Sequence, residues 1–155
     1  AVRGQASFAP GAAAPISILF GGYVAPAAGG VLFGATHDRD DIGLDAREAD
    51  HRRNLAALGA VLPALAARLE LATLSAHVGV RATTADYLPI AGQVGDGLFV
   101  LTGLGSRGFT LAPLLAEHIA AVALGRPSPL PAAIAALVDP GRFAKRAKRR
   151  PGGQR

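Results

Sequence analysis

Cysteine is absent from the 155 residues, which excludes disulfides, thiolate metal sites and a cysteine nucleophile. Also missing is any uncharged apolar run of about 18 residues, the length a membrane-crossing helix requires. Half of the residues are hydrophobic, but they lie in short stretches. The N-terminus has neither the basic flank nor the cleavage pattern of a signal peptide. A cytoplasmic protein with no membrane partner is therefore expected. Basic charge is scarce over most of the chain. Arg142, Lys145, Arg146, Lys148, Arg149, Arg150 and Arg155 account for 7 of the 16 Lys and Arg residues. That leaves 9 basic against 11 acidic residues over 1–141, about −2, so the formal charge of +5 belongs to the C-terminal end. The run Lys145-Arg146-Ala147-Lys148-Arg149-Arg150 has no interleaved aromatic residue. Such a run either neutralises phosphates irrespective of sequence or serves as a solubilising tail.

Metal-ligand spacing is lacking too. His37 to Gly43 resembles a calcium loop only in part: Asp38, Asp40 and Gly43 fit, but Ile42 and Ala49 stand where ligands are needed. No His and carboxylate pair on one element has zinc spacing, so no metal is expected. The 37–43 stretch is expected to be a solvated loop, with Asp45 or a neighbour capping the next helix.

What the chain does contain is organised around Gly103-Leu104-Gly105-Ser106-Arg107-Gly108-Phe109-Thr110. An apolar run, Leu98 to Leu101, precedes it; a helical run opening near Pro113 and closed by Gly125 follows. This predicts strand, glycine turn and helix, with the helix N-terminus facing an electron-rich ligand group. A plain packing turn is the competing reading. Gly103, Gly105 and Gly108 also match G-x-G-x-x-G, but no second strand with an acidic residue follows Gly125, against a dinucleotide fingerprint.

The chain opens at Ala1-Val2-Arg3-Gly4 with no recognisable first element and reads as a cut through a longer protein. Gly22 to Pro26 and Val31 to Thr36, split by Ala28-Gly29-Gly30, predict a hairpin. Leucines at three- and four-residue spacing over 46–71 predict one amphipathic helix, bent at Pro63, with His51 on its solvated face. A strand is expected over 72–84. Arg81 on it needs an acceptor if it points inward. Gly95-Asp96-Gly97 predicts a turn into the Leu98 strand. His77 and His118 are expected to be ordinary packed or surface residues. Short helices near Pro131 and after Asp139-Pro140 complete an α+β fold: a mixed, largely antiparallel sheet, one long helix across it, and a C-terminal strand–turn–helix.

Taken together, Gly79-Val80-Arg81-Ala82-Thr83-Thr84-Ala85-Asp86-Tyr87-Leu88-Pro89-Ile90-Ala91-Gly92, followed by Gly103 to Pro113, closely resembles the glycine/D-amino-acid oxidase family of flavoenzymes. Val2 to Gln5, Gly22 to Ala27, Gly34 to Arg39 and Asp139 to Phe143 support it in the same order. Within the family the likeness is to the branch that modifies tRNA. The resemblance implies FAD as cofactor, with Gly103, Gly105, Ser106, Arg107, Gly108, Phe109 and Thr110 along the isoalloxazine. It implies Arg81 as the grip on a substrate carboxylate, Tyr23 as its assistant, and Arg107 as a weaker catalytic candidate. The implied reaction oxidises the C–N bond of a carboxymethylaminomethyl group on a tRNA wobble uridine and releases glyoxylate. It further implies that residues 1–97 serve the substrate, that 98–141 close the flavin site, and that 142–155 form a basic tail. The upstream FAD-binding Rossmann segment of the family is not in this chain. A glycine or D-amino-acid oxidase acting on a free small amine, and a non-catalytic nucleic-acid-binding fragment, are the other readings.

Overall fold

The structure, a computed structural model, describes residues 1–149. The chain forms two compact units, one over Ala1–Val80 and the other from Arg81.

In the first unit, β1 (Val2–Pro10) runs through a sheet with β2 (Ile18–Leu19), β3 (Tyr23–Ala27), β4 (Gly30–Gly34), β5 (Asp38–Arg39) and β6 (Ser75–Arg81). The order is β2-β3-β4-β1-β5, and β6 also pairs with β1. The β3–β4 hairpin is antiparallel, with Ala27 opposite Gly30 and Gly29 at φ 77° in its tight turn. Phe33, Val24, Val31 and Ala9 pack with Leu58, Ala66 and Leu69 to form the core.

The opening segment is thus the longest strand, although its sequence offers no first element. The reason is that Arg3, Gln5 and Ser7 alternate along β1 and are fully buried. An inward-facing polar row hides the alternation of hydrophobic residues that normally announces a half-buried strand.

These polar groups are all bonded, as burial requires. Arg3 donates to Asp50 Oδ2 at 2.5 Å and to the carbonyls of Gly43 and Asp45. Gln5 Oε1 accepts from the Arg47 amide at 2.8 Å while its Nε2 donates to the Arg47 carbonyl. Gln5 therefore does the work of a cap at the start of α1 (Glu48–Gly59); the N-cap residue is Arg47, without a side-chain cap of its own. The expectation that Asp45 or a neighbour caps the helix is corrected accordingly.

His51 is buried rather than solvated, with Nδ1 at 2.7 Å from Ser7 Oγ. Asn54 donates to that same Oγ, so Ser7 joins two buried polar side chains of α1 to β1.

The single long helix is two: α1 and α2 (Pro63–Glu70), with Pro63 in the first turn of α2. Proline suits that position and cannot continue α1, so the chain breaks rather than bends. Outside the core, Asp41 accepts from Arg47 and from the Gly43 amide, and this pairing holds its carboxyl at a pKa of about 2.

The second unit contains an antiparallel hairpin, β7 (Ile90–Gly95) with β8 (Leu98–Thr102), turned at Asp96-Gly97. A 3-10 turn (Gly105–Arg107) leads into α3 (Gly108–Ala123), followed by α4 (Ala132–Val138) and α5 (Arg142–Arg149). Leu115 of α3, Ala91, Leu130 and Val138 form its core. The expected division at 97/98 falls where the hairpin turn meets β8 and differs from the division into compact units at Val80/Arg81. The expected basic tail begins as helix: α5 starts at Arg142, which is 2% exposed. Arg150 and Arg155 lie outside the described residues.

Candidate active site

Strand, glycine turn and helix appear in the expected order at β8, Gly103–Arg107 and α3. Gly103 is buried at φ 70°, and a Cβ there would come within 2.9 Å of Thr84 Cγ2. Gly105 has φ 55°. Both positions favour glycine, at Gly103 for space as well as conformation.

The turn lies against the segment after Arg81. The Gly105 amide donates to the Ala82 carbonyl at 3.0 Å, and Thr83 and Leu104 form an antiparallel bridge. The Arg107 amide donates to the Leu104 carbonyl at 3.1 Å. Two amides of the expected cofactor-facing set are therefore bonded to protein. The first turn of α3, from Gly108 through Phe109 and Thr110, holds the positions whose N–H groups a helix leaves unsatisfied. That turn has no acidic residue, and Ser106, Phe109 and Thr110 are exposed. The positive end of this 16-residue helix is thus neutralised by no first-turn carboxylate and lies at exposed positions. This arrangement fits an isoalloxazine edge.

Arg81 ends β6, half-buried. Among the described residues its guanidinium has no ion pair and no side-chain hydrogen bond. Because its chain neighbour Ala82 accepts from Gly105, the backbone at Arg81 lies beside the glycine turn. Arg107 is engaged differently: Nη2 donates to the Tyr87 carbonyl at 2.7 Å. Tyr23, half-buried on β3 opposite Gly34, belongs to the first unit.

Asp86 and Arg142 escape sequence reasoning. The loop between β6 and β7 carries Tyr87 at φ 58°, a left-handed conformation uncommon outside glycine. Asp86 secures it. Arg142 Nε and Nη2 reach the two carboxylate oxygens at 3.0 and 2.8 Å, and Nη2 also reaches the Leu88 carbonyl at 2.7 Å. Arg146 donates to Asp86 Oδ2 at 2.5 Å, and the Leu88 amide to Oδ1 at 3.2 Å. Asp139-Pro140-Gly141-Arg142-Phe143 marks the second partner in the sequence, but 56 positions separate the pair and no spacing rule joins them.

The Arg142 guanidinium, with Arg146 and the Leu88 amide assisting, holds the Asp86 carboxyl well below the ordinary carboxylate range. A depressed folded-state pKa gives stability that is complete above the unfolded-state value, about 4, and is lost as pH falls through the folded-state value. In urea titrations between about pH 5 and pH 2, Asp86→Asn should show a shallower acid-induced loss of stability than wild type. Identical slopes would remove Asp86 as the titrating group.

The sequence profile of the FAD dependent oxidoreductase (DAO) family matches residues 1–122. The chain belongs to this family. It is 60% identical over 149 residues to the tRNA 5-methylaminomethyl-2-thiouridine biosynthesis bifunctional protein MnmC of Caulobacter sp. (strain K31), covering 94% of this chain and 25% of that protein. Its identity to the MnmC of Burkholderia mallei (strain SAVP1) is 39% over 176 residues, covering 96% of this chain and 27% of the relative. The chain thus spans about a quarter of the length of these curated relatives.

Among solved structures, L-proline dehydrogenase from P. horikoshii superposes with a TM-score of 0.72 at 21% identity, covering 93% of this chain and 40% of that one. Iminodiacetate oxidase from Chelativorans sp. BNC1 superposes with a TM-score of 0.70 at 24% identity, covering 84% and 37%. These two show the fold, an α+β arrangement shared with part of each of those chains. Among the described residues, no helix is long and apolar enough to cross a membrane, and no group of His, Asp and Glu could hold a metal ion.

Proposed function

We propose that this chain is the carboxyl-terminal portion of a cytoplasmic FAD-dependent oxidoreductase acting on a carboxymethylaminomethyl group of a tRNA wobble uridine. The observation that carries this reading is the Gly105 amide bonded to the Ala82 carbonyl. It sets the glycine turn beside an arginine that has no ion pair or side-chain hydrogen bond among the described residues. The 60% identity to a tRNA-modifying relative favours tRNA over a free small amine, since the neighbours named for free amines share only the fold.

In this reading residues 1–97 serve the substrate and 98–141 close the flavin site. FAD, when bound, would supply the two-electron oxidation of the carbon next to nitrogen. Arg81 grips the substrate carboxylate with its planar fork, which matches two oxygens at once. The α3 N-terminus favours negative charge at the ring. Arg107, spent on the Tyr87 carbonyl, positions the turn against the loop that follows Arg81. Loss of hydride and a proton leaves a C=N bond, and its hydrolysis by water frees glyoxylate and leaves an aminomethyl group on the uridine. No protein nucleophile is required.

Anaerobic mixing of the complete protein with tRNA bearing the group should bleach the flavin absorbance and release glyoxylate. Bleaching by free glycine and not by this tRNA would overturn the reading.

A further inference from the structure

The final helix carries five basic residues, Arg142, Lys145, Arg146, Lys148 and Arg149, and no acidic one. Positions 142, 145 and 146 lie at three- and four-residue spacing, as do 145 and 148, so these cations crowd neighbouring turns. Like charges so placed destabilise a helix unless an opposite charge relieves them.

Two carboxylates relieve the first turns. Asp86 takes Arg142 and Arg146, and Asp139 accepts from Lys145 at 3.1 Å. Five cations against two carboxylates leave a formal excess of about three positive charges on this helix. Lys148, exposed, has no acidic partner among the described residues.

The helix is also fixed at its base. Arg142 is 2% exposed and lodged against Asp86 and the Leu88 carbonyl. Cations projecting from an anchored helix lose less freedom on meeting a polyanion than the same charges on a loose tail. A lipid surface is the poorer match, because amphipathic membrane helices bury a broad apolar face. Here the apolar residues are Phe143, Ala144 and Ala147, and the Phe143 ring lies 4.4 Å from the Arg142 guanidinium carbon.

We infer that α5 is a docking surface for the phosphate backbone of an RNA substrate, an inference that rests on the tRNA reading above. Its contribution is to affinity and placement, since lysines on phosphates carry no base information. Placement matters because Asp86 secures both α5 and the loop that adjoins the glycine turn. Backbone held on α5 therefore stands at a set offset from that turn.

The test uses the complete protein and a tRNA transcript, with binding followed by fluorescence anisotropy over a salt series. Lys145→Gln with Lys148→Gln should weaken binding several-fold at low salt. It should also reduce the slope of log affinity against log salt by about 0.7–0.9 for each phosphate no longer neutralised. An unchanged melting temperature marks the variant as folded, and both substitutions are at exposed positions. Equal affinity and equal slope in variant and wild type would overturn the inference, as would wild-type binding to anionic phospholipid vesicles in preference to tRNA. If wild-type flavin is bleached by the modified tRNA while the variant binds like wild type, docking on α5 is refuted and the enzymatic reading stands. If wild type neither binds tRNA nor is bleached by it, both fall.

Discussion

Replacing Asp50 by alanine should lower the unfolding free energy by about 3–5 kcal/mol, the range for removing one partner of a buried ion pair. The variant leaves the Arg3 guanidinium, fully buried, without its counter-ion. Its remaining acceptors, the Gly43 and Asp45 carbonyls and Gln5 Oε1, are neutral. The Arg3 side chain has no accessible surface, so bulk water does not solvate the charge in place of the lost carboxylate. Urea denaturation of the complete protein measures the effect, and a drop of less than about 1 kcal/mol would contradict it. Since total stabilities are commonly about 5–15 kcal/mol, the variant can fall close to unfolding. A second variant keeps the test decisive: Arg3→Met combined with Asp50→Leu should cost less than the sum of the single changes, because no lone charge remains buried.

Arg81→Ala in the complete enzyme should reduce kcat/KM for the carboxylate-bearing substrate by about 100-fold or more, chiefly through KM. Truncating one side of a charge-assisted, hydrogen-bonded pair costs roughly 2–5 kcal/mol, and about 2.7 kcal/mol corresponds to 100-fold. Arg81 is half-buried and has no ion pair or side-chain hydrogen bond among the described residues. A structural role would therefore leave little to lose, and the melting temperature should stay near wild type. Arg81→Lys keeps the charge but gives up the two-pronged geometry, so it should fall between wild type and alanine. A KM unchanged in the alanine variant would dismiss Arg81 as the carboxylate grip.

The elements around the proposed flavin edge were legible because each is local. Apolar residues before Gly103, glycines within the turn, Pro113 in the first turns of α3 and Gly125 after its end are signals carried by adjacent residues. The β3–β4 and β7–β8 hairpins announce themselves in the same way, through Gly29-Gly30 and Asp96-Gly97. Even the break at Pro63 was visible, although whether the chain bends or stops there depends on the packing of Leu58, Ala66 and Leu69 against the sheet. His51 shows the limit of helical periodicity. Its neighbours Arg52 and Arg53 are exposed, and the wheel alone puts His51 with them. Ser7, 44 positions before it in the chain, makes it a buried hydrogen-bond partner.

Composition, turn chemistry and the resemblance of ordered motifs by themselves determined the α+β class, the strand–turn–helix, the absence of cysteine chemistry and the flavoenzyme family. These follow from short-range physics, in which neighbouring residues choose backbone angles, or from a pattern long enough to be specific. Only the tertiary structure decided which polar residues are inside. Burial of Arg3, Gln5 and Ser7 under α1, and the clamp of Asp86 by Arg142, join residues 40 or more positions apart. A charged side chain becomes an interior residue only when the fold delivers its partner, and no window of sequence contains both.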